Sequence, residues 1–342
     1  MFRYDFAGIT ALFMKPVRAL VIGLFFVLMP ALPLFAQGAA DDAIFEYKQN
    51  YEPVEYLPEP NYRFYVDVVV LALLMLAVPL LMSGKLRRFR GIIGWLPAVT
   101  FIYFGILRGG CICPVGATGN AVIGLFEPEL IGWTTLLIFL LPLFMALIMG
   151  RVFCTSGCPL GAVQDMFYSR KHNYRLPRLL RITGTVAAVM VLAATVWFAL
   201  SGRFFFICHI DPYRTLFHQG YVWVRKVESV LSGTSSENRF FIAESRVMWM
   251  YLGIILLIGI KIPRVFCRFI CPYGVLLGLL SLVSFKRRSI DSESCVFCGR
   301  CEKVCPVQSI SIDRENRKAE LSNFSCVQCD RCSSVCPRDS VK

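Results

Sequence analysis

Six apolar runs recur along the chain, at 19–36, 64–83, 92–107, 133–150, 182–200 and 247–262. Each is near the roughly 17–25 residues that carry a helix across a bilayer, and in lipid a lone segment must satisfy its own backbone polar groups, which a helix does. The stretches between runs differ in charge. KLRRFR at 85–90, RKHNYRLPRLLR at 170–181, and Lys261, Arg264 and Arg268 are basic, whereas 41–59 carries Asp41, Asp42, Glu46, Glu52, Glu55 and Glu59 against Lys48. By the positive-inside rule the basic blocks are cytoplasmic, both chain ends lie inside, and 108–132 and 201–246 lie outside. The formal charge of +13 is therefore read as membrane topology, and nucleic acid is not an expected partner. Charged residues make up 17% of the chain, against roughly a quarter in soluble domains.

The expected fold class is an α-helical integral membrane protein of about six transmembrane helices with a small C-terminal α+β domain. Residues 1–36, with Arg3, Lys15 and Arg18 ahead of the apolar run and LFAQGA after it, read as a signal-like segment or a first anchoring helix. Residues 37–62 form a short periplasmic loop, 63–285 the transmembrane domain, and 286–342 a cytoplasmic domain. Asp67 lies inside the second run, four residues past Arg63, and an interfacial ion pair is expected of it.

After residue 285 the chain turns polar and rich in cysteine. CVFCGRCEKVCP supplies Cys295, Cys298, Cys301 and Cys305; CVQCDRCSSVCP supplies Cys326, Cys329, Cys332 and Cys336. Each is C-x2-C-x2-C-x3-C-P, the run of bacterial two-cluster ferredoxins, in which the fourth cysteine serves the other cluster. Cys295, Cys298, Cys301 and Cys336 are assigned to one [4Fe–4S] cluster, and Cys326, Cys329, Cys332 and Cys305 to the second. Zinc also takes thiolates, but two full repeats each closing on Cys-Pro favour cubes.

Seven further cysteines stand in the transmembrane domain, most of them in a repeated phrase. GRVFCTSGCPLGAVQD (150–165) and PRVFCRFICPYGVLLG (263–278) each hold C-x3-C-P-x-G, and RGGCICPVGATGN (108–120) is a looser copy. Proline suits the first position of a helix, so each phrase is read as a helix start whose dipole favours thiolate. Cys154, Cys158, Cys267 and Cys271 fall on the cytoplasmic side, as two halves of a pseudo-twofold unit. Three readings stand for them: a further iron–sulfur cluster, a redox or quinone site without metal, and plain packing. Cys111, Cys113 and Cys208 fall outside, where they form a second cluster with a ligand from a partner, or a disulfide. His209 and Asp211 beside Cys208 are candidate proton acceptors for a quinol.

Several cofactors find no signature. The three histidines, His172, His209 and His218, lie outside the runs, so paired haem ligands are missing, and there is no C-x-x-C-H, GxGxxG or P-loop.

With these motifs in view, residues 92–342 resemble the NapH/NosR-like membrane polyferredoxins. The resemblance implies cluster-related roles for Cys154, Cys158, Cys267, Cys271 and the eight C-terminal cysteines. It also implies electron transfer between quinol or cytoplasmic donors and periplasmic redox partners. Residues 37–62 are too short for the periplasmic flavin domain of NosR-type proteins, so a flavoprotein or cytochrome would be a separate subunit. The expectation is an electron-transfer subunit of a membrane oxidoreductase complex in the bacterial inner membrane. It would carry two [4Fe–4S] clusters and one or two more at the membrane faces, with membrane lipid, partner subunits and the quinone pool as its contacts. A maturation factor that reduces metal or flavin centres of another protein, or a redox sensor, are the rival readings.

Overall fold

The computed structural model describes residues 62–82, 89, 91–108, 113–126, 133–168, 176–202, 211–213, 216–217 and 242–341. The run at 19–36, the loop that follows it, Cys111, Cys208 and all three histidines lie outside the described residues.

The expected runs from 64 onward all coincide with helical segments. Helix α1 (Tyr62–Met82) is followed by α2 (Leu96–Thr100), which continues as π-helical turns over Phe101–Leu107. Then come α3 (Pro114–Phe126), α4 (Trp133–Met149), α5 (Phe153–Ser156), α6 (Pro159–Phe167) and α7 (Arg178–Gly202). The helical part closes with α8 (Ile242–Lys261), α9 (Val265–Phe269) and α10 (Pro272–Leu282). Two of these helices are long and apolar enough to cross a membrane, through Tyr65–Met82 and Leu179–Ser201; Leu96–Leu107, Leu136–Met149 and Trp249–Lys261 are apolar but shorter. Large apolar side chains point outward from them: Leu73, Phe144, Trp197 and Leu257 are 61%, 60%, 68% and 68% exposed. So much exposed apolar surface marks a contact with lipid or protein.

The run at 92–107 is the least regular. Pro97 sits in the first turn of α2, and Arg108 N–H then donates to Tyr103 O at 3.0 Å, a bond spanning five residues. Such π turns re-aim side chains. Here they bring Arg108 and Tyr103 onto Asp67, which is 1% exposed. Arg108 Nε lies 2.9 Å and Tyr103 Oη 3.1 Å from that carboxylate. The acid thus has its ion pair, buried rather than interfacial, with Arg108 as partner.

Two copies of one supersecondary unit dominate the rest: α4–α5–α6 and α8–α9–α10 each run from a long apolar helix through a sharp turn and a short helix to a proline-started helix. The first turn uses Gly150 at φ +74°, where a non-glycine side chain is strained. The second turn falls one residue later in register, on Arg264 at φ 54°.

The C-terminal domain holds α11 (Arg300–Val304), the antiparallel pair β1 (Ile310–Asp313) and β2 (Lys318–Leu321), and α12 (Arg331–Ser334). Ile310 pairs with Leu321 and Asp313 with Lys318. This domain shares one apolar core with the preceding helices: Cys301, Cys305, Val307, Ile310 and Val327 belong to the cluster that includes Met75, Phe153, Tyr273 and Leu277. Backbone carbonyls in and just ahead of its second cysteine run accept from side chains of the preceding segments. Arg151 Nη1 donates to Phe324 O at 2.8 Å, Thr155 Oγ1 to Val327 O at 2.5 Å and Ser281 Oγ to Asn323 O at 2.8 Å.

Candidate functional site

The two cysteine runs fold alike. Phe297 and Gln328 both take a positive φ, as do Gly299 and Asp330 two residues further on. Alternating right- and left-handed residues turn successive N–H groups to one side, the concavity that receives anionic clusters. Ser309 N–H donates to Cys305 Sγ and Ser340 N–H to Cys336 Sγ, each at 3.3 Å. One small cavity is lined by Cys295, Cys298, Cys301 and Cys336, and another by Cys305, Cys326, Cys329 and Cys332. These are the two quartets, with the fourth cysteines exchanged, that the spacing predicts. Among the described residues no three His, Cys, Asp or Glu converge on a single ion; in a cube each thiolate takes a different iron. Burial pushes the Cys301 thiol up to about 11 and Cys326 up to about 12. Bare thiolates are thus unwelcome here, and an iron–sulfur core would supply the compensating positive charge. The donor sets and the N–H groups aimed at sulfur fit such a group.

Below them the structure gathers Cys154, Cys158, Cys267 and Cys271. These thiols are near enough for their charges to interact: Cys271 with the other three, and Cys158 with Cys154 and Cys267. Cys158 and Cys271 are the N-caps of α6 and α10, each with proline in the first turn. The glycine of Cys-Pro-x-Gly now has a double purpose. Gly274 N–H donates to Cys271 Sγ at 3.3 Å, Gly116 N–H does the same for Cys113 at 3.3 Å, and Gly161 N–H is bonded to Cys158. A Cβ on Gly161 would meet the Cys154 carbonyl at 2.8 Å, and one on Gly274 the Cys267 carbonyl at 3.3 Å. Only glycine lets the new helix start tuck beneath the preceding cysteine.

Charged and polar neighbours complete this four-thiol site. Gln164 Nε2 donates to Cys267 Sγ at 3.3 Å, while its Oε1 accepts from Phe266 N–H at 3.1 Å, stitching the first copy to the second. Arg264, 1% exposed, is clamped by both oxygens of Asp165 at 2.9 and 3.0 Å. Its charge is felt by Cys158 and Cys267 below and by Cys329 of the C-terminal domain. Arg331 of that domain reaches the same Asp165 at 3.5 Å. Nη1 of Arg264 and Nε of Arg151 are buried without a hydrogen-bond partner. Unpaired guanidinium N–H groups beside four thiols suit an anionic thiolate-bound cluster, so this donor set fits one as well.

Of the outer trio only Cys113 is described. Its Sγ lies 2.9 Å from the Asp211 carboxylate, which is 1% exposed. Cys113 packs on the apolar cluster of Val115, Leu160, Tyr213, Phe217, Ile255 and Phe266, and Cys158 and Cys271 border the same cluster.

Gln164 and Asp165 escaped the sequence reading, although both stand in the first repeat. The signal was there: in register, the second copy has Leu277 and Gly278 in their places. Gly278 is small for its own reason, since a Cβ there would strike the Phe324 ring at 2.8 Å. The C-terminal domain thus occupies, over one half of the pseudo-twofold, the place that Asp165 holds over the other.

Residues 288–342 match the family described as a 4Fe-4S dicluster domain, and 131–177 and 247–289 match the family described as a 4Fe-4S binding domain. Fold, thiol quartets and family matches make the chain similar to ferredoxin-type iron–sulfur proteins. Similar proteins include the putative electron transport protein YccM of Escherichia coli, 26% identical over 176 residues, or 50% of this chain and 45% of YccM. The regulatory protein NosR of Pseudomonas aeruginosa is 25% identical over 274 residues, 73% of this chain and 34% of NosR. The methylamine utilization ferredoxin-type protein MauN of Paracoccus denitrificans is 23% identical over 198 residues, 54% of this chain and 62% of MauN. The chain thus spans between 34% and 62% of these relatives' lengths. No solved structure is a significant match. The relatives bear out the resemblance to the NapH/NosR-like polyferredoxins.

Proposed function

We propose that the chain is an electron-transfer subunit of the bacterial inner membrane. It would exchange electrons between a cytoplasmic two-cluster ferredoxin domain and a third cluster on Cys154, Cys158, Cys267 and Cys271. From there they would go to the quinone pool or to a periplasmic redox partner. The observation that carries this reading is Arg264, buried between the membrane-face thiols and Cys329 and pinned by Asp165, which Arg331 of the C-terminal domain also reaches.

A bound [4Fe–4S] group supplies one-electron oxidation and reduction. The chain supplies the placement. Cys305, Cys326, Cys329 and Cys332 form the quartet on the Arg264 side, so the Cys295 quartet is the outer terminus. Cys298 there is exposed, a contact point for a soluble donor or acceptor. Gly274, Gly161 and Gln164 direct N–H groups at sulfur, and Arg151 and Arg264 offset negative charge while Phe266 and Tyr273, each 1% exposed, exclude water. Since a bilayer core is about 30 Å thick, a route to the far side would need an intermediate stop. The Cys113–Asp211 pair, joined to Cys158 and Cys271 by one apolar cluster, is the candidate for that stop or for the proton site of a quinol.

The test uses the iron-loaded chain in proteoliposomes containing a membrane-confined quinone. With dithionite outside, the wild type should reduce the quinone, and a Cys154→Ser/Cys267→Ser variant that keeps its ferredoxin absorbance should do so at least tenfold more slowly. Equal rates would overturn the reading.

A further inference from the structure

A cavity of about 840 Å³ opens between α7, α9 and the C-terminal domain, beside the membrane-face thiols. Its wall is cationic and rich in hydroxyls. Arg181 projects from the first turn of α7 and Arg268 from α9, while Ser311, Ser322 and Ser325 come from the C-terminal domain. Glu320 is the one carboxylate on this wall among the described residues, and it is exposed and paired with Lys318 at 2.5 Å.

Arg151 and Arg264 also line the cavity, but both interact with the thiol cluster and are accounted for there. Arg268 feels the charge of Cys305, in the C-terminal quartet, and that of Arg181. Arg181 gives Nη1 to Gln308 O at 3.3 Å, yet its Nε is buried with no partner, and so is Nη1 of Arg268. Two guanidinium groups on one cavity wall, each with an unmet buried donor, leave hydrogen bonds for an anion to accept. Stranding such donors costs folding free energy unless something accepts from them, and guanidinium pairs best with phosphate or carboxylate oxygens.

The far wall of the cavity says which anion. Ile182 lines it, and Ile182, Val186 and Val189 form one outward-facing apolar strip along α7, 52%, 52% and 46% exposed. A polar pocket at the head of an apolar strip suits an amphiphile, and basic pockets between membrane helices on the cytoplasmic side are recognised sites for acidic headgroups. We propose that Arg181 and Arg268, with the serine hydroxyls of the C-terminal domain, bind a phosphate group, supplied in the membrane by an acidic phospholipid whose acyl chains lie along the α7 strip. The lipid would bolt the C-terminal domain to the membrane helices, because the pocket has walls from both.

The experiment is a titration of the iron-loaded full chain in neutral detergent, followed by its thermal unfolding midpoint. The additives are short-chain phosphatidylglycerol, short-chain phosphatidylcholine and inorganic phosphate. The wild-type midpoint should rise with phosphatidylglycerol and not with phosphatidylcholine. Arg181→Gln/Arg268→Gln, retaining wild-type iron, should need at least ten times more phosphatidylglycerol for the same rise. A rise with inorganic phosphate of equal size would keep the phosphate site and assign it to a soluble ligand. A wild type indifferent to both, or a double variant that responds like wild type, would overturn the proposal. Loss of iron in the double variant before any lipid effect would instead assign the pair to the clusters and also overturn it. Should that variant fail to fold, the wild-type titration and the milder Arg181→Lys/Arg268→Lys pair, expected to weaken the response, decide.

Discussion

Replacing Asp165 by Asn removes charge and leaves shape, and the structure sets the size of the effect. Arg264 is 1% exposed and Asp165 9%, and two charge-assisted bonds of 2.9 and 3.0 Å join them. Breaking a buried pair by neutralising one partner costs about 3–5 kcal/mol, because the other charge stays buried. Arg331, at 3.5 Å and 31% exposed, adds little to this. Arg264 also holds φ 54°, and a non-glycine residue there stores about 1–3 kcal/mol that its surroundings must offset. The ion pair is one of the contacts that hold the residue there. At about 2–4 °C per kcal/mol, Asp165→Asn should lower the unfolding midpoint by roughly 6–20 °C. The assay is intrinsic fluorescence in one detergent at one scan rate, since irreversible unfolding makes a midpoint depend on scan rate. Glu320→Gln, which breaks the exposed Lys318–Glu320 pair, is the control and should stay within the scatter of repeat scans. An Asp165→Asn midpoint no lower than that control would refute the view that Arg264 is a strained, pinned element.

Further outcomes follow from the same geometry. Gly161→Ala puts a Cβ 2.8 Å from the Cys154 carbonyl, a backbone atom that cannot swing away, so thermal stability and membrane-face iron should both fall; Gly253→Ala, with nothing within 4 Å, should be neutral or stabilising by up to about 1 kcal/mol. Gly278→Leu should displace the Phe324 ring, 2.8 Å from where its Cβ would stand, and speed amide exchange across 323–328 while leaving α1 protected. Unchanged exchange there would mean that the C-terminal domain is held elsewhere. Cys301 and Cys326, raised to about 11 and 12 by burial, are protonated near neutral pH when empty and must each release a proton to bind iron. Lowering the pH by one unit should therefore weaken loading at each quartet by at least about tenfold. Better iron retention against a chelator at acid pH would contradict this.

How much of this was legible beforehand depends on range in sequence. The ferredoxin quartets were, because C-x2-C-x2-C is a local wrap and its geometry is written in the spacing. So were the Cys-Pro helix starts, whose proline and glycine act within four residues. The apolar runs located helices but not their continuity: Pro97 and the π turns after it break the run at 92–107. Asp67 was recognised as needing a partner, yet Arg108 is 41 residues away and is delivered by those turns. Gln164 and Asp165 looked like a polar helix end, and their roles depend on contacts 99–103 residues distant. The place of the C-terminal domain over Arg151 and Gly278 could not be read at all, because shape complementarity across a domain contact leaves no periodic trace.

The central claim is that the Cys-Pro repeats at 150–165 and 263–278 hold a cluster of their own. Iron and acid-labile sulfide per chain, measured on anaerobically purified protein beside a variant with Cys154, Cys158, Cys267 and Cys271 changed to Ser, test it most directly. Two ferredoxin cubes account for about eight irons. The account predicts a higher count in the wild type that falls to about eight in the variant, with the ferredoxin spectrum intact. About eight irons in both proteins would contradict it.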